Sequence, residues 1–296
     1  MPRPDLAPRV AVAVVGIPIV LGLLHAGGWI LVVPLAALAA LGAGETHRLA
    51  NGAGHRPFAG LAMAGAAALV VLAGWKGSFP AASPWILGAF LLVGGVAMLC
   101  SMALRWPEGA PLGAVASTLF AMGYGAVALV FIPFLRELPS SLGWAAGEAA
   151  PGWAGMWVVA LPLVCTWVGD AAAYFAGSAW GRRKLAPAVS PNKSWVGAYA
   201  GVSAAALAGV AWLLLAGAYL PGMPSPGIGV VAVGGALLGV GAIVGDLFES
   251  VLKREAGVKD SGSVFPGHGG VLDRLDALIF TLPLAYGLLC LVGVEG

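Results

Sequence analysis

Residues Ser250–Asp276 read SVLKREAGVKDSGSVFPGHGGVLDRLD, and this stretch decides how the rest of the chain is understood. Charged residues make up only 9% of the protein, yet Lys253, Arg254, Glu255, Lys259, Asp260, Asp273, Arg274 and Asp276 fall within these 27 positions. The apolar runs on either side have the length and composition of membrane helices. An ionisable side chain at the bilayer centre costs roughly 2.5–3.5 kcal/mol on insertion scales, so such residues near membrane depth are functional candidates. The middle, Pro266-Gly267-His268-Gly269-Gly270, cannot be regular helix. Its glycines would let backbone turn freely and approach a ligand. A glycine-rich turn that opens a helix at Asp273 would offer N–H groups to an anion. Basic side chains, a flexible loop and convergent carboxylates together point to metal and phosphate chemistry.

Outside this stretch the composition is that of a membrane protein. The 296 residues are 60% hydrophobic, with a mean hydropathy of +0.94, far from a soluble domain. The 46 glycines suit closely packed membrane helices, where small residues let backbones approach. A net charge of +2 gives no nucleic-acid-binding surface. Cys100, Cys165 and Cys290 each sit in an apolar run without metal-ligand spacing, and read as buried small hydrophobes.

About 20 mostly apolar residues are needed to span a bilayer. Nine runs are candidates, the first of them short: 10–24, 28–43, 58–75, 84–104, 112–135, 153–176, 196–220, 227–252 and 275–294. The expected fold is therefore all-α, a polytopic integral membrane protein of about nine transmembrane helices. Residues 1–150 would form a scaffold with a lipid-contact region, and residues 151–296 would carry the chemistry. With a cytoplasmic N-terminus, 13 of the 15 Lys and Arg residues fall on the cytoplasmic side, leaving Lys76 and Arg136 outside. Every motif then faces the cytoplasm. The group Glu45, His47, Arg48, His55 and Arg56 reads as a short cytoplasmic loop, an interfacial anchor or a hold on a lipid phosphate. On that reading Glu45→Gln has little effect. Glu137–Pro151 reads as a loop on the opposite side.

Further chemistry lies in the second half. Asp170 sits at the end of an apolar helix, with Tyr174 one turn on and on the same face. The basic run Arg182-Arg183-Lys184 follows, then Ser190-Pro191-Asn192-Lys193-Ser194. Asp246, Glu249, Ser250 and Lys253 are offset by 3, 4 and 7 and share one helical face. Asp273 and Asp276 sit three apart at the start of the last helix, where dipole compensation alone is worth only ~0.3–1 kcal/mol.

The stretch resembles the signature of the phosphatidate cytidylyltransferases, or CDP-diacylglycerol synthases. The matching positions are Ser250, Lys253-Arg254, Lys259-Asp260, His268-Gly269-Gly270, Asp273-Arg274 and Asp276. Upstream, Asp170 and Tyr174 resemble the family's Asp-x-x-Ala-Tyr element, and Ser190-Pro191-Asn192-Lys193-Ser194 its Ser-Pro-x-Lys-Thr/Ser block. Family members often carry Glu where this chain has Val196, so no carboxylate role is transferred there.

The resemblance implies transfer of a cytidylyl group from CTP to phosphatidate, giving CDP-diacylglycerol and pyrophosphate in phospholipid biosynthesis. It implies Mg²⁺ and a second cation in a dinuclear centre. Asp246 and Asp273 are the expected ligands, with Glu249 and Asp276 as second choices. Lys253 and Arg274 join Asp246 and Asp273 as the catalytic set. Asp170, Tyr174, Ser190, Lys193, Ser250, Arg254, Lys259, Asp260, His268, Gly269 and Gly270 are expected to contact substrate. The nucleophile is a phosphate oxygen, already anionic, so His268 is assigned to phosphate contact and not to a general base. The expected setting is a bacterial-type inner membrane, with CTP, phosphatidate and bilayer lipid as partners and a homodimer left open. Two rivals remain: a CTP-dependent polyprenol kinase, which would release CDP, and an ion-coupled transporter using Asp170, Asp246 and Glu249.

Overall fold

A backbone in hydrocarbon has no water to bond, so a chain this apolar must satisfy its N–H and C=O groups internally, and helices do this. The computed structural model describes residues 6–106, 110–144, 151–219, 226–265 and 269–294. The helices are α1 (Leu6–Ala26), α2 (Gly28–Gly52), α3 (Ala59–Lys76), α4 (Phe79–Arg105), α5 (Pro111–Ser141), α6 (Pro151–Trp180), α7 (Trp195–Tyr219), α8 (Ile228–Glu255), α9 (Leu272–Leu275) and α10 (Leu278–Val294). Among the described residues, eight helical segments are long and apolar enough to cross a membrane, and Gly16–Ala26 in α1 is a shorter apolar piece. The protein is an all-α polytopic membrane protein in outline. It adds a short antiparallel ribbon, β1 (Lys184–Ala186) with β2 (Ser190–Ser194), between α6 and α7.

Two expected boundaries change. The second span does not end at Ala43: α2 continues to Gly52, so Glu45, His47 and Arg48 lie on a helix, and only His55 and Arg56 fall in the connection to α3. The apolar pattern continues past Glu45 through buried Thr46 and Leu49, and the Thr46 hydroxyl donates to the Gly42 carbonyl at 2.9 Å. Likewise α5 runs on through Ser141, so the loop expected over Glu137–Pro151 begins later than its polar composition suggests. Residues 145–150 of that loop lie outside the described residues.

The chain divides into two compact units, Met1–Pro133 with Leu252–Leu275, and Phe134–Val251 with Asp276–Gly296. In the first, α2 packs on α3 and α3 on α4. Gly42 and Gly125 meet so closely that a Cβ on Gly125 would overlap the α2 backbone. The Lys76 ammonium lies 3.8 Å from the centroid of Trp75 and 4.5 Å from that of Trp85, the amphipathic grouping of a membrane-interface anchor. In the second unit α6 packs along α7, with Gly169 against Gly201. The indole of Trp212 donates to the Trp157 carbonyl at 2.9 Å.

Candidate active site

In the second unit the site is built from α6, the ribbon and the C-terminal part of α8. The Ser194 hydroxyl accepts the Gly197 N–H at 3.2 Å and so caps the start of α7. The Trp195 N–H donates to the Arg183 carbonyl at 3.0 Å, closing the ribbon at the Lys184–Ser194 pair. This fixes Lys193, whose ammonium lies 2.7 Å from the Asp246 carboxylate of α8. The Ser250 hydroxyl, one turn along α8, reaches the other Asp246 oxygen at 3.4 Å. Asp170, Tyr174, Lys184, Asn192, Lys193 and Asp246 are among the residues lining a cavity of about 690 Å³. Tyr174 is 70% exposed, so its ring is open to a ligand. Ser190 pairs with Ala186 at the other end of the ribbon. Glu249 is fully buried, and Asp276 Oδ1 accepts the Ala277 N–H at 2.7 Å.

In the first unit the signature loop folds around Asp273. Its Oδ2 accepts three donors: the Ser261 N–H at 2.9 Å, the Ser261 hydroxyl at 2.8 Å and the Gly270 N–H at 2.9 Å. Its Oδ1 accepts Lys253 of α8 at 2.8 Å. Gly269 has φ +83°, the left-handed region that favours glycine. Arg254, Lys259, Asp260 and Arg274 are exposed, with the Arg254 guanidinium donating to the Val258 carbonyl at 3.3 Å. His268 lies outside the described residues, as do Pro266 and Gly267.

The sequence reading missed Glu45. Far from a surface loop, its side chain is fully buried and its carboxylate meets the signature loop. Oε1 accepts the Val271 N–H at 3.0 Å, and Oε2 accepts the Leu272 N–H at 2.9 Å and the Ser261 hydroxyl at 3.0 Å. The N–H groups expected to face an anion are therefore engaged by carboxylates of the chain itself, those of Val271 and Leu272 by Glu45 and that of Gly270 by Asp273. Gly270 is glycine for the same reason: a Cβ there would overlap the Glu45 carboxylate and the Ser261 hydroxyl. One signal was available. Glu45 is an acid inside a run, Leu41 to Leu49, whose apolar spacing still fits a helix.

Mg²⁺ is a hard cation, usually held by one or two carboxylates together with substrate phosphates. Among the described residues no group of three or more His, Cys, Asp or Glu forms a ready cage. Asp170 and Asp246 line the same cavity, so two carboxylates would be available there to such a cation. Asp273, with Oδ2 saturated, would offer Oδ1.

The model of the Cytidylyltransferase family matches residues 7–292. The chain is 33% identical to the phosphatidate cytidylyltransferase of Synechocystis sp. over 94% of both chains. It is 35% identical to the protein of that name from Pseudomonas aeruginosa, over 97% of this chain and 98% of the relative. With the Bacillus subtilis protein of that name the identity is 40%, over 46% of this chain and 49% of the relative. Family match, full-length likeness and the signature around Asp273 agree: this chain belongs to the cytidylyltransferase family.

Proposed function

We propose that this chain transfers the cytidylyl group of CTP to phosphatidate at the cytoplasmic face of an inner membrane. The products are CDP-diacylglycerol and pyrophosphate. The observation that carries the reading is likeness over nearly the whole chain to proteins named for this activity. A phosphate oxygen of phosphatidate attacks the α-phosphorus of CTP. A new P–O bond forms, the bond from the α-phosphorus to the oxygen bridging to the β-phosphorus breaks, and pyrophosphate leaves. Because the attacking oxygen is already ionised, positioning and charge stabilisation supply the rate, and no strong base is needed.

Within their own units, Asp246, which shares a cavity with Asp170, and Asp273 are each a carboxylate we assign to cation binding, with Glu249 and Asp276 as weaker candidates. Bound there, the cation would offset charge gathering on the α-phosphate and the leaving group. Lys193 carries three donors, so it can hold Asp246 and still donate to a substrate phosphate, and Lys253 places a second ammonium beside Asp273. Exposed Arg254, Lys259 and Arg274 suit phosphate capture, the guanidinium forks bidentately.

The test uses purified protein in detergent with CTP, Mg²⁺ and either phosphatidate or diacylglycerol. Pyrophosphate should be released with phosphatidate only. CDP release with diacylglycerol would replace this reading with a lipid kinase.

A further inference from the structure

We infer that Glu45 is a positioning residue: from α2 it clasps the start of α9 and holds the signature loop in the arrangement that cytidylyl transfer uses. The catalytic consequence rests on the reaction proposed above, whereas the clasp rests on hydrogen bonds alone.

A buried carboxylate needs a reason. Taking an ionised group out of water is costly unless hydrogen bonds replace the lost hydration, and an alanine or leucine would fill the same space without that cost. Glu45 is 0% exposed, accepts the Val271 and Leu272 N–H groups and shares the Ser261 hydroxyl with Asp273; all three donors lie more than 200 residues later in the chain. Arg48, one turn along α2, approaches only to 3.9 Å and is mostly exposed, so it does not account for the burial.

What the carboxylate does there follows from helix geometry. The opening N–H groups of any helix lack intrahelical partners and need an acceptor. A local side chain would ordinarily supply it, but the residues before α9 are Gly269, Gly270 and Val271, which have no acceptor side chain. Asp273 covers Gly270, and Glu45 covers Val271 and Leu272. The Ser261 hydroxyl lies 3.0 Å from Glu45 Oε2 and 2.8 Å from Asp273 Oδ2, so one side chain links the two carboxylates. With a single proton it donates to one of them at a time. Two glycines make room: a Cβ on Gly262 or Gly270 would collide with the Glu45 carboxylate. Glu45 thus sets the position of the turn that presents Asp273 and Arg274. An amide cannot substitute, because either orientation of glutamine turns an NH₂ toward a backbone or hydroxyl donor.

The experiment compares purified wild-type chain, Glu45→Gln and Ser261→Ala. Three quantities are read: amide exchange at Val271 and Leu272, thermal midpoint, and steady-state pyrophosphate release. In Glu45→Gln, exchange at these two amides should accelerate at least about tenfold. Its kcat should fall about 10- to 100-fold while the KM for CTP stays within about twofold, as expected for a misplaced site with its nucleotide contacts intact. Ser261→Ala should move exchange and kcat in the same direction by less. Wild-type exchange and wild-type kcat per folded molecule in Glu45→Gln would overturn the inference, even with a lowered thermal midpoint, because glutamine would then do all that glutamate does. Should Glu45→Gln fail to accumulate, wild-type exchange and kcat in Ser261→Ala would overturn it instead. If wild-type protein releases no pyrophosphate from CTP and phosphatidate, the proposed reaction fails, and exchange at Val271 and Leu272 still decides the clasp.

Discussion

Asp273 turns one carboxylate oxygen to its own loop, where three donors hold it, and the other to Lys253. Asp246 is held differently, by Lys193 on a cavity wall, with its side chain 40% exposed. Each is an acid with an oxygen beside a lysine. Asp246→Asn and Asp273→Asn should each lower turnover by at least ~10²-fold, the scale of losing one preorganised charge-stabilising group. The protein should stay folded and membrane-inserted; near-normal activity in either variant at saturating Mg²⁺ would move the metal site elsewhere. Gly270→Ala tests the loop in another way. Its Cβ would enter the space of the Glu45 carboxylate and the Ser261 hydroxyl, so a stability loss of about 1–3 kcal/mol, as for overpacking, should accompany loss of turnover. A denaturation midpoint and a pyrophosphate assay check both. The residue types of this loop were legible in the sequence, but their reasons were not. Glycines 269 and 270 read as room for a ligand, whereas Gly269 serves a left-handed turn and Gly270 admits a carboxylate from α2. No local pattern reports a partner more than 200 residues away.

At the scale of elements, the helices follow the apolar runs because a bilayer leaves them no alternative. Their ends are harder to read, because a charge within an apolar run resembles a helix boundary. Glu45 did not end α2, because its charge is satisfied by donors from elsewhere in its unit. The ribbon between α6 and α7 was not legible either: Ser190-Pro191-Asn192-Lys193-Ser194 has neither the alternation nor the β-branched content of a strand. It forms by closure onto the Arg183 carbonyl and by the Ser194 cap. That cap is a prediction in itself. Ser194→Ala should cost about 1 kcal/mol of stability, the usual worth of an N-cap. It should also raise the KM for CTP, because Lys193 is the preceding residue on the same ribbon.

For the whole molecule, the sequence pattern yields the membrane class, and the comparisons agree on the family. Orientation belongs to the Lys and Arg distribution. If α1 crosses the membrane along with the eight longer segments, the termini lie on opposite sides. A reporter fused after Gly296 should then appear outside the cytoplasm, and a cytoplasmic reporter would contradict the nine-span arrangement. The signature segment Leu252–Leu275 belongs to the same compact unit as α2. The fate of label from CTP shows most directly which group is transferred. Purified protein is given phosphatidate, Mg²⁺ and CTP labelled at either the α- or the γ-phosphate. Cytidylyl transfer predicts that α-label enters the lipid and γ-label leaves as pyrophosphate in equal amount. Entry of γ-label into lipid, with the α-label left in CDP, would contradict it.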